Sequence, residues 1–417
     1  MLDIRLIRED PDQARAALER RGAGDRVGEV LVLDARRRAL LPELESLRAR
    51  KNEASQEIAA AKRAGSEAAP AIEEMRTIGA RERELEGELA EVERQLRRLL
   101  ASLPNLPAPD APPEDTVLRE VGEPRMPVRP ARDHLELAGA LIDMESAARV
   151  SGSRFAYLKG DLVLLELALV RWSFDVLARE GFEPVIPPVL VREETMFGTG
   201  FLPDTEQQIY RLADDELFLI GTSEVPLASL HAGQIVEASE LPVRYAGFSS
   251  CFRREAGAAG RDTRGIFRVH QFDKVEMFCF VDPEASEAEH ERILGIQESI
   301  LQALEVPYRV VNIAVDELGN SAAKKYDLEG WLPGQERYRE LTSCSNTTDY
   351  QARRLDIRVR PDGQRPRPLH TLNGTAVAVG RTIIALLENG QREDGSVALP
   401  ACLAPYGAPE RVKAAAT

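Results

Sequence analysis

Two stretches near the N-terminus set apolar residues at alternating steps of four and three, and this pattern limits the fold more than any other feature. The first runs Leu40, Leu44, Leu47, Ala54, Ile58 and Ala61, with Lys51 at the one seam position that is not apolar. The second runs Met75, Ile78, Leu85, Leu89, Val92, Leu96, Leu99 and Leu103, with Glu82 at its interrupted position. A repeat of about 3.5 residues keeps one stripe of a helix turned toward a partner helix. Gly65, Ser66 and Pro70 separate the runs, so the pattern predicts an antiparallel helical hairpin over about residues 30–103. Each arm of ~30 residues would reach ~45 Å. Pro42 falls inside the first run and has no N–H to give, so it should kink the helix or mark a later start. Ahead of the hairpin, Asp10, Pro11 and Gln13 form the opening of a short helix, and Gly22 is its natural stop.

Pro104, Pro107, Pro109, Pro112, Pro113, Pro124, Pro127 and Pro130 follow closely. That density excludes helix and predicts an extended connector over 104–130. From about 131 onward a plausible helix, Asp161 to Glu180, and β-branched segments such as Tyr308 to Val315 alternate with loops. These predict one α+β domain, 131–417, on a mainly antiparallel sheet flanked by helices, after a helical N-terminal domain, 1–103.

Composition narrows the function classes. Of 417 residues, 43% are hydrophobic and 29% charged, enough for a sizeable core. No apolar run of about 18 residues is present, and Met1 to Arg5 carries no leader-like apolar stretch, so neither a membrane span nor a secretory signal is expected. Cys251, Cys279, Cys344 and Cys402 form no C-x-x-C pair, so no structural zinc is expected and a reduced cytoplasmic setting is the default. The net charge of −15 argues against an indiscriminate nucleic-acid binder. Charge is unevenly placed: Asp34 to Arg63 carries eight basic and five acidic residues, whereas Ala71 to Ala101 carries six and eight. The first helix is therefore the better candidate for touching phosphates, through Arg48, Arg50, Lys51, Lys62 and Arg63, although a charged hairpin is equally read as a solvated surface. There is no Gly-Lys dipeptide for a P-loop, no G-x-S-x-G and no H-E-x-x-H.

Two constellations could carry chemistry. Phe252-Arg253-Arg254-Glu255-Ala256-Gly257 ends one strand, an arginine-bearing loop follows through Gly265, and a second strand is expected from Ile266 to Phe280. Arginine forks suit phosphate, and Phe272 could stack on a base. By charge alone, a solvated hairpin with surface ion pairs explains these residues as well. Near the C-terminus, Gly374 to Arg381 leads into an apolar helix, Thr382 to Glu388, where a buried arginine needs an anionic partner.

Taken together, the two constellations resemble motifs 2 and 3 of the class II aminoacyl-tRNA synthetases, and Gly181-Phe182 with Pro188 resembles motif 1. Further strings are similar to bacterial-type seryl-tRNA synthetases: Thr222-Ser223-Glu224, Arg261 to Gly265, Val269 to Glu276, Ser343 to Asn346 with Asp349 to Arg354, and His370 to Gly374. The N-terminal hairpin matches that family too, so the resemblance runs from Met1 to about Tyr406.

The resemblance implies an ATP-dependent ligase that joins L-serine to serine tRNA, and to selenocysteine tRNA, as a cytoplasmic homodimer meeting through motif 1. Arg253 should hold the α-phosphate of ATP, Glu255 the adenine amino group, Phe272 the adenine face and Arg381 the γ-phosphate, with Arg254, Val269, Leu341 and Thr342 also in the nucleotide site. Glu340 and Ser343 should coordinate Mg2+. Thr222, Ser223, Glu224, Arg253, Glu276 and Thr375 should bind serine, with Glu276 and Thr375 reading its hydroxyl. Arg254 stands where the family more often has serine, and Thr375 where it more often has serine as well. The hairpin should read the long variable arm of the tRNA by shape. Two other readings share these features: a paralogue serving antibiotic biosynthesis, self-resistance or carrier-protein charging, and a coiled-coil interaction protein with an inactive synthetase-like domain.

Overall fold

The computed structural model describes every residue except 66, 125–127, 129, 204–207, 257–261, 263 and 414–417. Ser66 and Pro127, and Gly257, Arg261 and Thr263 of the arginine-bearing loop, therefore lie outside the described residues. The chain divides into two compact units, Leu2–Pro104 and Asn105–Thr417.

Four helices build the first unit: α1 (Ile4–Glu9), α2 (Pro11–Glu19), α3 (Arg26–Ala64) and α4 (Ala69–Ser102). The Asp10 carboxylate accepts from the Gln13 N–H at 2.9 Å and Pro11 opens α2, the local chemistry its sequence predicts. Gly65 ends α3 in the left-handed region, φ +66°, where its N–H reaches the Ala61 and Lys62 carbonyls. Pro70 sits in the first turn of α4. Between the arms Leu40, Leu44, Leu85 and Val92 are buried together, flanked by Leu33, Leu47 and Leu89. The two polar seam positions answer each other, because Lys51 Nζ donates to a Glu82 carboxylate oxygen.

Pro42 does not mark the start of the helix. α3 begins at Arg26 and runs unbroken through Pro42 to Ala64. The missing N–H costs one bond to the preceding turn, while the apolar seam holds the helix on both sides of it.

The second unit is built on an eight-stranded sheet. Its strands are β1 (Thr116–Val121), β2 (Glu183–Val185), β3 (Val243–Phe252), β4 (Gln271–Val281), β5 (Tyr308–Asn312), β6 (Lys324–Leu332), β7 (Arg337–Asn346) and β8 (His370–Ala378). Their spatial order is β1-β5-β6-β7-β8-β4-β3-β2, antiparallel throughout except for the β2–β3 pair. The connector expected over 104–130 is partly sheet, since β1 pairs with β5 as an edge strand. Prolines on either side hide this six-residue strand from pattern reading, and an edge strand asks for little burial. Asn105, at the head of this segment, is buried and its Nδ2 donates to the Ser321 and Thr347 carbonyls and the Thr348 hydroxyl, each at 2.9 Å. The second motif strand starts at Gln271, later than the expected Ile266.

One face of the sheet meets α5 (Asp161–Arg179), α6 (Ser286–Ala303) and α7 (Val379–Asn389) and buries Val275, Met277, Cys279, Tyr308 and Leu328. On the other face Phe278 and Phe280 are buried against Leu227, Ala352 and Leu355, and a cavity opens beside them. Two irregularities decide what it displays. Glu276 pairs with Thr375 and Val275 with Val377, leaving Ala376 unopposed. Glu329 pairs with Glu340 and Leu328 with Thr342, leaving Leu341 unopposed. In an unbroken strand residues three apart point to opposite faces. The extra residue resets the alternation, so Glu340 shares a face with Ser343, and Thr375 with Ala378.

Candidate active site

A cavity of about 400 Å³ opens on that face over β4, β7 and β8. Its chemistry differs between its two ends.

At one end are arginines. β3 stops at Phe252, and the Arg253 N–H bonds the His270 carbonyl at 3.0 Å, turning the chain out of the sheet. The Arg253 side chain bends back so that Nε donates to the Gly221 carbonyl at 3.3 Å and the guanidinium lies 5.3 Å from the Phe272 ring centre. Arg381, in the first turn of α7, donates from Nη1 to the Glu340 carbonyl at 2.9 Å and lies 3.3 Å from its carboxylate. Phe267 is a shelf for two cations, with Arg339 at 3.8 Å and Arg381 at 4.7 Å from its ring centre. Arg268 reaches Asp262 at 3.2 Å and Glu255 at 3.3 Å, and Arg339 reaches the same Asp262 at 2.7 Å. Burial alone would raise the Glu340 carboxyl, but Arg381, Lys325 and Arg253 outweigh it and hold the group at about 2.

At the other end are carboxylates. Glu276 is 1% exposed and receives Lys274 Nζ at 2.6 Å, Thr375 Oγ1 at 3.1 Å and Asn373 Nδ2 at 3.1 Å. Glu224 receives Gln351 Nε2 at 2.7 Å and Asn373 Nδ2 at 3.3 Å. Burial, then the charge of Glu276, pushes the Glu224 carboxyl up to about 7, against the pull of Gln351. Thr222 Oγ1 accepts from Lys274 Nζ at 2.9 Å. Two buried carboxylates share one ammonium, so this end is short of one positive charge.

Most of the residues named for a site from sequence line this single cavity: Arg253, Glu255, Val269, Phe272, Glu340, Leu341, Thr342, Ser343 and Arg381, together with Thr222, Glu224, Glu276 and Thr375. Two do not. Ser223 is fully buried with its hydroxyl 2.7 Å from that of Ser249, because the first turn of the short helix Glu224–Ala228 aims it at β3. Arg254 is not part of the cavity lining, and its N–H is held by the Gln208 carbonyl at 2.9 Å. Lys274, Asn373, Gln351 and Phe267 were not named as site residues. Lys274 had a readable signal, since it stands two residues before Glu276, and in a strand residues two apart share one face.

The five basic residues expected to meet RNA belong to the hairpin. Three are already engaged: Arg48 with Glu86 at 2.8 Å, Arg50 with Glu53 at 2.8 Å and with Glu74, and Lys51 with Glu82. The excess positive charge of α3 is thus largely met by α4, which also takes Arg36 through Glu88 and Arg37 through Glu93. Lys62 and Arg63 stand in the last turn of α3.

Oxygen donors suited to a hard cation stand together on β7, where the irregularity brings the ionised Glu340 and the Ser343 hydroxyl to one face. Among the described residues, no group of three or more His, Cys, Asp or Glu is placed to hold a metal. No described helix is long and apolar enough to cross a membrane.

Comparison with known proteins joins these observations. Residues 1–107 match the seryl-tRNA synthetase N-terminal domain, and residues 208–390 match the class II tRNA synthetase core domain (G, H, P, S and T). The chain is 48% identical to the serine–tRNA ligase of Thermobifida fusca and 49% identical to that of Rubrobacter xylanophilus, each over 97% of both chains. The structure superposes on seryl-tRNA synthetase from Pyrococcus horikoshii complexed with ATP with a TM-score of 0.93, at 42% identity and over the whole of both chains. These relatives favour a ligase over a dedicated paralogue. On sequence and structure alike, the chain belongs to the seryl-tRNA synthetase family.

Proposed function

We propose that this chain activates L-serine with ATP to seryl-adenylate and pyrophosphate, and then transfers the seryl group to serine tRNA. One observation carries the reading: a single cavity joins a cationic, aromatic end to an end holding two carboxylates and one ammonium. The first suits a nucleoside triphosphate, and the second lacks one positive charge, which the ammonium of an amino acid supplies.

In this reading Phe272 stacks on adenine, Glu255 accepts from its amino group, and Val269, Leu341 and Thr342 wall the adenosine. Arg253 holds the α-phosphate at the junction of the two ends, and Arg381 holds the γ-phosphate. The serine carboxylate attacks the α-phosphorus in line, a new P–O bond forms, and the bond to pyrophosphate breaks with its electron pair. Arg253 and Arg381 offset the growing charge, so the protein acts by positioning and electrostatics, without a general base. Glu340 and Ser343 would hold Mg2+, which supplies further charge neutralisation on the phosphates.

Serine-dependent ATP–pyrophosphate exchange tests the reading directly. Arg253→Ala and Arg381→Ala should each lower the exchange rate ~10²–10³-fold, the usual scale for one preorganised donor. Near-normal exchange in either variant, or no dependence on serine in the wild type, would defeat it.

Glu224 adds a pH signature. Its pKa is raised to about 7, so it takes a proton as pH falls through neutrality. The substrate ammonium pairs with the ionised form, so serine affinity is full above that range and is lost below it. Serine KM should rise by up to about tenfold per pH unit below neutrality. Glu224→Gln should be weaker at high pH and flat across the range. A flat wild-type profile removes this role.

In the same reading the hairpin is the partner of an RNA arm. Exposed ion pairs exchange cheaply, so Arg48 and Arg50 remain available to phosphates beside Lys62 and Arg63, whereas Lys51 is held by the buried Glu82 of the seam. Deleting about residues 34 to 101 should spare pyrophosphate exchange and abolish tRNA charging, measured with serine tRNA. Unchanged charging would refute the role of the arm.

A homodimer completes the proposal. Ile186, within the Gly181 to Pro188 segment, is 81% exposed, Leu190 just beyond it is exposed, and α5 also leaves Leu164 and Leu167 uncovered. Obligate interfaces commonly cover more than ~2,000 Å² of such surface. Sedimentation should give a dimer, with Ile186→Asp shifting it to monomer; a fully active wild-type monomer would overturn this. The free thiols Cys251, Cys279 and Cys344 are buried, in keeping with a reducing cytoplasm.

A further inference from the structure

Lys274 lies on β4 between the residues proposed to stack on adenine and to read the serine hydroxyl, with 8% of its side chain exposed. Its ammonium touches Glu276 Oε2 at 2.6 Å and Thr222 Oγ1 at 2.9 Å. We propose that Lys274 is a positioning residue that sets the hydrogen-bond polarity of the amino-acid end, and thereby its selectivity for a hydroxylated amino acid. The inference rests on the reading that this end takes L-serine.

A hydroxyl has one hydrogen and two lone pairs. Thr222 Oγ1 receives the Lys274 ammonium and, at 3.1 Å, the Glu224 backbone N–H. Both lone pairs are then used, and the Thr222 hydrogen is left to donate. The reverse holds across the cavity. Thr375 gives its hydrogen to Glu276 Oε2 at 3.1 Å and keeps its lone pairs. Glu276 Oε1 takes one bond, from Asn373, and retains capacity to accept. The amino-acid end therefore shows one fixed hydroxyl donor, at Thr222, and acceptors at Thr375, Glu276 and Glu224. An amino acid with an alcohol side chain needs a donor for its carboxylate and acceptors for its ammonium and its hydroxyl.

Removing the ammonium undoes both settings. Thr222 regains a free lone pair and can turn its hydrogen away, and Glu276 and Glu224 face each other with no cation between them. Serine binding then suffers more than ATP binding. Serine also loses more than alanine, because alanine never used the hydroxyl acceptor.

The test is pyrophosphate exchange on the full chain, wild type against Lys274→Met, with serine, alanine and ATP each varied. Lys274→Met should raise serine KM ~10²-fold, the scale for breaking one buried, hydrogen-bonded charge pair. ATP KM should stay close to wild type, and the serine-over-alanine ratio of kcat/KM should fall about tenfold or more. A purely structural lysine would move serine and ATP KM together and leave the ratio alone, and either result overturns the proposal. If Lys274→Met does not fold, Lys274→Gln, which can still donate to Thr222 but cannot neutralise Glu276, should raise serine KM with ATP KM unchanged, and a matching rise in ATP KM overturns the proposal. A wild-type enzyme that shows no exchange with serine would instead defeat the proposed function itself.

Discussion

Lys274 and Glu276 are charged, buried and two residues apart on an inner strand of the sheet, and the surrounding site is arranged around that fact. Buried charges persist only when paired and hydrogen-bonded. Here the pair is met by Thr222 below the ammonium and by Thr375 and Asn373 around the carboxylate. Glu224 then adds a second carboxylate with no cation of its own. Burial and Glu276 raise it to about 7, poised between neutral and charged. A ligand ammonium stabilises the charged form, so the protein stores in this carboxyl a preference for a cationic guest.

The arginine end follows the opposite logic. Cations are in surplus, and each is fixed before any phosphate arrives. Phe267 carries Arg339 and Arg381, Asp262 joins Arg339 to Arg268, and Glu255 takes the other side of Arg268. Preorganised charge of this kind needs little reorganisation when charge develops on a ligand. Glu255 itself sits at φ +50°, an uncommon conformation for a residue with a side chain. Its neighbours over-determine it, with the Arg253 N–H on the His270 carbonyl and the Arg254 N–H on the Gln208 carbonyl.

What was legible in the sequence depended on whether a residue's role is local. The hairpin could be read because a 3.5-residue repeat needs only the chain itself, and Gly65 and Pro70 mark its turn. Arg253, Phe272 and Arg381 stood out through motif resemblance. β1 was missed because its partner strand lies nearly two hundred residues away, and prolines surround it. Ser223 was misplaced because adjacent residues at a helix start point to different sides, which a motif string does not record. The two strand irregularities were invisible for the same reason. They show only when one strand is paired with another, yet they decide that Glu340 and Ser343 face the cavity together.

The hairpin carries the same theme into the other unit. A polar pair within an apolar seam costs stability, but it specifies one register, because sliding the arms would strand both charges. Lys51 and Glu82 fall at the two positions where the heptads break, and they meet. Around them Arg36, Arg37, Arg48 and Arg50 of α3 reach glutamates of α4. These outer pairs are exposed and hold little energy individually, so they add charge complementarity to a register that the buried seam already sets. An RNA backbone competing for the same arginines would release glutamates into water rather than unpack Leu40, Leu44, Leu85 and Val92. The arm can therefore exchange its surface partners while its length and shape stay constant, which is the property that recognition by shape requires.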